Sequence, residues 1–334
     1  MRKSISHLKS NTNDKQSNRF QYMPLRLPDK LPAIKLLEDE NIFVIDETRG
    51  HSQDIRPLRL AILNLMPIKV TTETDLVRLL SNTPLQIDVT FMKLKSHTSK
   101  NTPIEHMKQF YIPFDELRNR KFDGMIVTGA PVEGMAFEEV NYWQEISEIF
   151  TWARANVTST LYICWAAQAA LYHFYGIDKH QLPKKTFGVF TQNINPAFEN
   201  IQLFRGFDSV FAMPHSRHTE NRKEDVEKVP DVSILAESAE SGPSILMARG
   251  GREIFVTGHM EYNPDTLDTE YRRDLGKRDD VDVPVNYYID DDPEKGPLVT
   301  WRAHANLFYH NWINYYIYQR TPYDISQISH DMEY

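Results

Sequence analysis

The sequence predicts an α/β fold: an open, mostly parallel sheet with helices on both faces and extensions at both ends. Three observations carry that prediction. From residue 58 onward, short β-rich apolar runs alternate with stretches of helical periodicity. The runs are joined by helix-length connections, which parallel strands require. The 334 residues are enough to bury a substantial core.

Leu58 to Leu65 reads as a buried strand ending at Pro67, and Thr72 with Asp75 resembles a capping box opening a helix through Leu80. Leu85, Ile87, Val89 and Phe91 alternate as a second strand. Phe122 to Thr128 is a third, followed by a Gly129-Ala130-Pro131 turn. Trp143, Ile146, Phe150 and Ala153 recur at helical spacing, so a helix crosses back before the fourth strand, Ser159 to Ile163. The second half looks more antiparallel. Ser244 to Ala248 and Glu253 to Thr257 flank a hairpin turn at Arg249-Gly250-Gly251-Arg252. A helix starts near Asn263-Pro264 and ends by Gly276, and Asp279 to Pro297 is an acidic, proline-containing loop. The last helix, Trp301 to Gln319, carries Trp301, Ala305, Phe308, Trp312 and Tyr316 on one stripe, which suits core or a dimer interface better than a cofactor.

Composition narrows the function. Charged residues are 25% of the chain, the net charge is −8, and the signs are interspersed, so there is no basic stripe for nucleic acid. The apolar runs are too short to span a bilayer. One cysteine allows no intrachain disulfide, in keeping with a cytoplasmic protein. Residues 1 to 22 are polar and lack the apolar stretch of a secretory signal. They read as a disordered extension, or as a start called too early with Met23 the true first residue; a transit peptide is conceivable. Residues 23 to 320 form a single domain, and 321 to 334 a C-terminal tail.

The lone cysteine, Cys164, ends the fourth strand, and Trp165 at once begins a helix. A thiol on such a turn is exposed beyond the carboxyl end of the sheet, and a helix N-terminus favours thiolate. The Trp165 backbone N–H is available to an oxyanion. An inert buried thiol is the alternative. Some 95 residues later, His259-Met260-Glu261 follows a strand, so that Glu261 can fix the His259 tautomer and support an imidazolium. Cys, His and Glu in that order suit thiol acyl transfer, although one histidine among twelve is by itself weak evidence.

Strand, nucleophile turn and His-x-Glu loop resemble the class I glutamine amidotransferases, whose fold is flavodoxin-like. Tyr162 and Ala166 stand where that family has two glycines, and Met260 where it has proline. A sister family fits better. The chain resembles the homoserine O-acyltransferases of the MetA type through Met23 to Pro28, LNLMPIK at Leu63 to Lys69 and RLLSNTPLQIDV at Arg78 to Val89. TGAPVE at Thr128 to Glu133, YICWAAQA at Tyr162 to Ala169, PHSRH at Pro214 to His218 and GHMEY at Gly258 to Tyr262 continue the likeness.

That resemblance implies Cys164 as acyl-thioester nucleophile, His259 as proton acceptor and Glu261 as its orienting partner. It implies substrate contacts at Lys185 and Ser216, and Arg273 on the carboxylate of homoserine. Without it, Lys185 could not be preferred to Lys184, and Arg273 would read as an ordinary surface pair. A second oxyanion N–H is expected from Val132. Glutamate at position 133 accompanies acetyl transfer in the family and glycine succinyl transfer, so Glu133 implies acetyl-CoA; a solvated loop acid is its other reading. The expected reaction is acetyl transfer to L-homoserine in methionine biosynthesis, with no metal or bound cofactor. A succinyl donor or a glutamine-cleaving hydrolase is the alternative, and a homodimer is plausible.

Overall fold

The computed structural model describes residues 25–27, 30–39, 45–46, 56–97, 101–277 and 281–332. Residues 1 to 22 lie outside them. In chain order the elements are β1 (Leu25–Leu27), α1 (Pro32–Asp39), β2 (Ile45–Asp46), β3 (Leu58–Leu63), α2 (Lys69–Leu80), β4 (Ile87–Lys93), α3 (Ile104–Phe110), β5 (Tyr111–Pro113) and α4 (Phe114–Leu117). They continue with β6 (Phe122–Val127), α5 (Trp143–Asn156), β7 (Val157–Ile163), α6 (Trp165–Tyr175), β8 (His180–Ile194), β9 (Val210–Glu220), α7 (Lys223–Val226) and β10 (Val232–Ser238). The last are β11 (Gly242–Ala248), β12 (Glu253–Val256), α8 (Thr266–Leu275) and α9 (Arg302–Asn311), the last running on into π-helical Trp312–Tyr318.

Among the described residues one sheet of twelve strands runs in the order β2-β1-β4-β3-β6-β7-β12-β11-β10-β8-β9, with β5 on β4. It is parallel from β2 to β12 and antiparallel from β12 to β9. The central strands are largely apolar because both faces are covered, and even the polar Asp123 and Thr158 to Thr160 are buried. Leu60 and Ile62 join α2, Phe308 and Trp312 in one core, while Ala61 and Leu63 join α5 and α6 in the other. Fully burying one such leucine or isoleucine contributes roughly 1.5–3 kcal/mol.

Several expectations shift. α2 starts at Lys69, and Thr72 lies inside it with its hydroxyl on the Ile68 carbonyl, while Asp75 pairs with Arg78; the expected capping box is not formed. Asn263 caps a turn through the Asp265 N–H, so α8 begins at Thr266 rather than beside Pro264. The aromatic stripe from Trp301 to Tyr316 is buried within this one chain, which settles it as core. The C-terminal segment docks at the opposite end of the sheet from the cysteine: Arg252 donates to the carbonyls of His330 and Met332. The long β8-β9 hairpin went unpredicted. Its residues carry no simple alternation, yet it supplies much of the site.

Candidate active site

The nucleophile turn is strained. Cys164 sits between β7 and α6 at φ 53°, ψ −118°, a conformation costing about 1–3 kcal/mol for a residue with a side chain. It is held there by its N–H on the Val256 carbonyl (2.7 Å) and by the Gln168 N–H on its own carbonyl (3.2 Å). Gly129, at the end of β6, makes room for the thiol: a methyl there would stand 3.2 Å from Cys164 Cβ and 3.6 Å from Sγ. The Trp165 N–H is the first of α6 and belongs to the set that a helix leaves without an internal partner.

β12 delivers the histidine from the adjoining strand. The His259 N–H donates to the Pro214 carbonyl (2.8 Å), and His259 Nδ1 lies 2.7 Å from Glu261 Oε1. The ring stacks on Tyr262 at 4.1 Å between centroids, and it lines the same cavity as the Cys164 thiol. With Nδ1 on the glutamate, Nε2 is the nitrogen left for sulfur. Burial lowers the His259 pKa, but the charges of Cys164 and Glu261 and their hydrogen bonds outweigh it, so the pKa lies well above the usual 6.5. The second oxygen of Glu261, Oε2, is buried and has no hydrogen-bond partner among the described residues.

A cavity of about 400 Å³ opens over the thiol. Cys164, His259, Lys185, Ser216, Arg273 and Glu133 all line it. Lys185 Nζ donates to Glu270 Oε1 (2.6 Å), as does the Ser216 hydroxyl (2.7 Å), and Arg273 Nη2 stands 3.7 Å from the same oxygen. Lys184 points elsewhere, to Asp282 at the surface. Glu133 is pinned: its Oε2 accepts the His218 N–H (2.8 Å), and Lys179 Nζ donates to its main-chain carbonyl (2.6 Å). Val132 does not line the cavity, and its N–H is engaged in its own turn on the Ala130 carbonyl (2.9 Å).

Glu270 was missed by sequence reasoning. It lies on α8 three residues before Arg273, a spacing that puts both on one helix face, and that was the signal available. Met66 and Pro67, from the loop after β3, form an apolar stretch of the cavity wall.

A strained cysteine, a buried His-Glu pair and a cavity with both cationic and anionic side chains suit acyl transfer onto a zwitterion. The comparisons say whose site this is. The family described as homoserine O-succinyltransferase matches residues 24–323. The chain belongs to this family. It is therefore an acyltransferase family member across nearly the whole described structure. A homoserine O-acetyltransferase of Bacteroides thetaiotaomicron is 67% identical over 306 residues, covering 92% of this chain and 100% of the relative. One of Brevibacillus brevis is 59% identical over 304 residues, covering 91% and 99%. Among solved structures, the protein SMU.1228c aligns at 15% identity with a TM-score of 0.51, over 77% of this chain and 99% of its own, a likeness of fold alone.

Proposed function

We infer that this chain is a homoserine O-acetyltransferase acting through an acetyl-thioester on Cys164. The observation that carries the chemistry is that Cys164, on its strained strand-to-helix turn, shares one cavity with the buried His259-Glu261 pair. Beside the thiol, His259 can take its proton as the cysteine attacks, which forms the thiolate-imidazolium pair. The thiolate attacks the thioester carbonyl of acetyl-CoA, and the Trp165 N–H faces the oxygen that becomes negative. The imidazolium gives its proton to the departing CoA sulfur. Acetylation removes the thiolate charge, so His259 loses the largest influence raising its pKa and becomes a neutral base.

Homoserine then binds through its amino acid end. Its carboxylate suits Arg273 and Lys185, and its ammonium suits Glu270, which in the free protein is occupied by Lys185 and Ser216. His259 takes the proton of the side-chain hydroxyl, the oxygen attacks the thioester, and the thiolate leaves to restore the ion pair. The product is O-acetylhomoserine, and no step calls on a metal. The donor reading rests on Glu133 and on the names of the relatives.

The test is mass spectrometry of the protein mixed with acetyl-CoA alone. One acetyl group on the peptide containing Cys164 is expected, and none in Cys164→Ala. Label on another residue, or none in the parent protein, would sink the thioester scheme.

A further inference from the structure

The loop from Asn64 to Lys69 supplies the Met66–Pro67 wall of the cavity, and behind it lies a group of buried polar side chains with no place in the chemistry above. Asn64 Nδ2 donates to the Lys69 carbonyl (3.3 Å) and to the Tyr111 hydroxyl (3.1 Å), and its Oδ1 accepts the Met66 N–H (3.1 Å). Lys69 Nζ closes the loop from within, on the carbonyls of Asn64 (2.5 Å) and Met66 (3.3 Å). The Tyr111 hydroxyl in turn donates to Glu73 Oε1 (2.5 Å), and His106 Nε2 lies 3.0 and 3.1 Å from the two oxygens of Glu73. Glu73 is 0% exposed and Lys69 6%. Burial pushes the Lys69 ammonium down to about 8, against the opposing charge of Glu73.

Burying a carboxylate, an ammonium and an imidazole is expensive unless each is paired, and an apolar cluster of equal volume would be at least as stable. What the polar arrangement provides is a fixed loop: the path from Glu73 through the Tyr111 hydroxyl and Asn64 ends on the backbone that carries Met66, and His106 holds Glu73 from the other side. A thioester waiting for an alcohol is exposed to hydrolysis, so the wall has a chemical duty. We propose that Glu73 is a positioning residue which, through Tyr111, Asn64 and Lys69, clamps the Met66–Pro67 wall and keeps water from the acetyl-enzyme. This rests on the thioester reading of Cys164.

The experiment compares the parent protein with Tyr111→Phe, which removes only the bridging hydroxyl, and with Glu73→Gln, measuring CoA release with and without homoserine and the O-acetylhomoserine formed. The parent protein alone should release one equivalent of CoA in a burst and then little. Both variants should keep the burst, raise the subsequent homoserine-free release about tenfold, the size of one charge-assisted hydrogen bond fully expressed, and yield less than one product per CoA. A Tyr111→Phe protein with the burst, the later release and the product-to-CoA ratio all at parent values overturns the clamp and leaves the thioester standing. Variants that lose burst and turnover together, in proportion to folded protein, also overturn it, since the residues would then serve the fold alone. No burst in the parent protein overturns the thioester reading, and the clamp with it.

Discussion

Glu133 offers the sharpest test of donor choice. A succinyl group ends in a carboxylate that must lie deeper in the cavity than any atom of acetyl, and Glu133 lines that cavity beside Cys164. Its side chain cannot swing clear without giving up the His218 N–H at 2.8 Å, and its backbone is held by Lys179. Two unit charges about 4 Å apart repel by roughly 4 kcal/mol at an effective dielectric near 20. The residue is half-buried, so solvent screening leaves on the order of 2 kcal/mol, or about thirtyfold in specificity constant. Glutamine at this position keeps the volume and can still accept from His218, so Glu133→Gln should relieve the charge alone and raise succinyl-CoA relative to acetyl-CoA by about that thirtyfold. Glu133→Gly frees the volume as well and should move the ratio further, toward about a thousandfold. The assay is the kcat/KM ratio for the two donors at saturating homoserine. A parent protein that prefers succinyl-CoA, or a glycine variant with no gain in succinyl transfer, would refute the reasoning while leaving the triad intact.

Other expectations follow from the same geometry. Arg273→Lys keeps the charge but loses the fork, so the KM for homoserine should rise about tenfold with acetylation by acetyl-CoA unchanged; an unaltered KM removes Arg273 from the substrate site. Glu261→Gln withdraws one of the charges holding the His259 pKa up, so Cys164 should be alkylated by iodoacetamide more slowly at neutral pH, and an unchanged rate would show that the glutamate does not support the ion pair. The sign also reaches stability. A raised histidine pKa contributes stability fully present below the unfolded value of about 6.5 and lost as pH rises through the folded value. Glu261→Gln should therefore flatten the decline of urea midpoint with rising pH above about 6.5. Trp312, 0% exposed with Nε1 on Ser159 Oγ at 2.9 Å, should cost about 3–5 kcal/mol as alanine, read by urea denaturation.

The parallel half of the fold was legible because β3, β6 and β7 are covered on both faces and write that as short, largely apolar runs, broken only at Arg59, Asp123 and Thr158 to Thr160. The nucleophile was legible for a related reason: a strand that ends on cysteine and passes at once into a helix leaves one geometry for the turn. His259 and Glu261 lie two residues apart, so their pairing is local and was open to sequence reasoning. Lys185 and Glu270 are 85 residues apart, and nothing along the chain separates Lys185 from Lys184; only the β8-β9 hairpin packed against α8 points one lysine at Glu270 and the other at Asp282. Val132 shows the converse, since a motif can name a loop without saying which of its N–H groups the turn has already used. The wall behind Met66 was out of reach for the same reason, because Asn64, Glu73, His106 and Tyr111 meet only once β5 has paired with β4. Periodicity and turn chemistry are properties of neighbours in the chain, and so the sequence by itself determined the central parallel strands, the cysteine turn and the His-Glu pair. Which charges share a cavity depends on long-range packing, and that the tertiary structure alone decided.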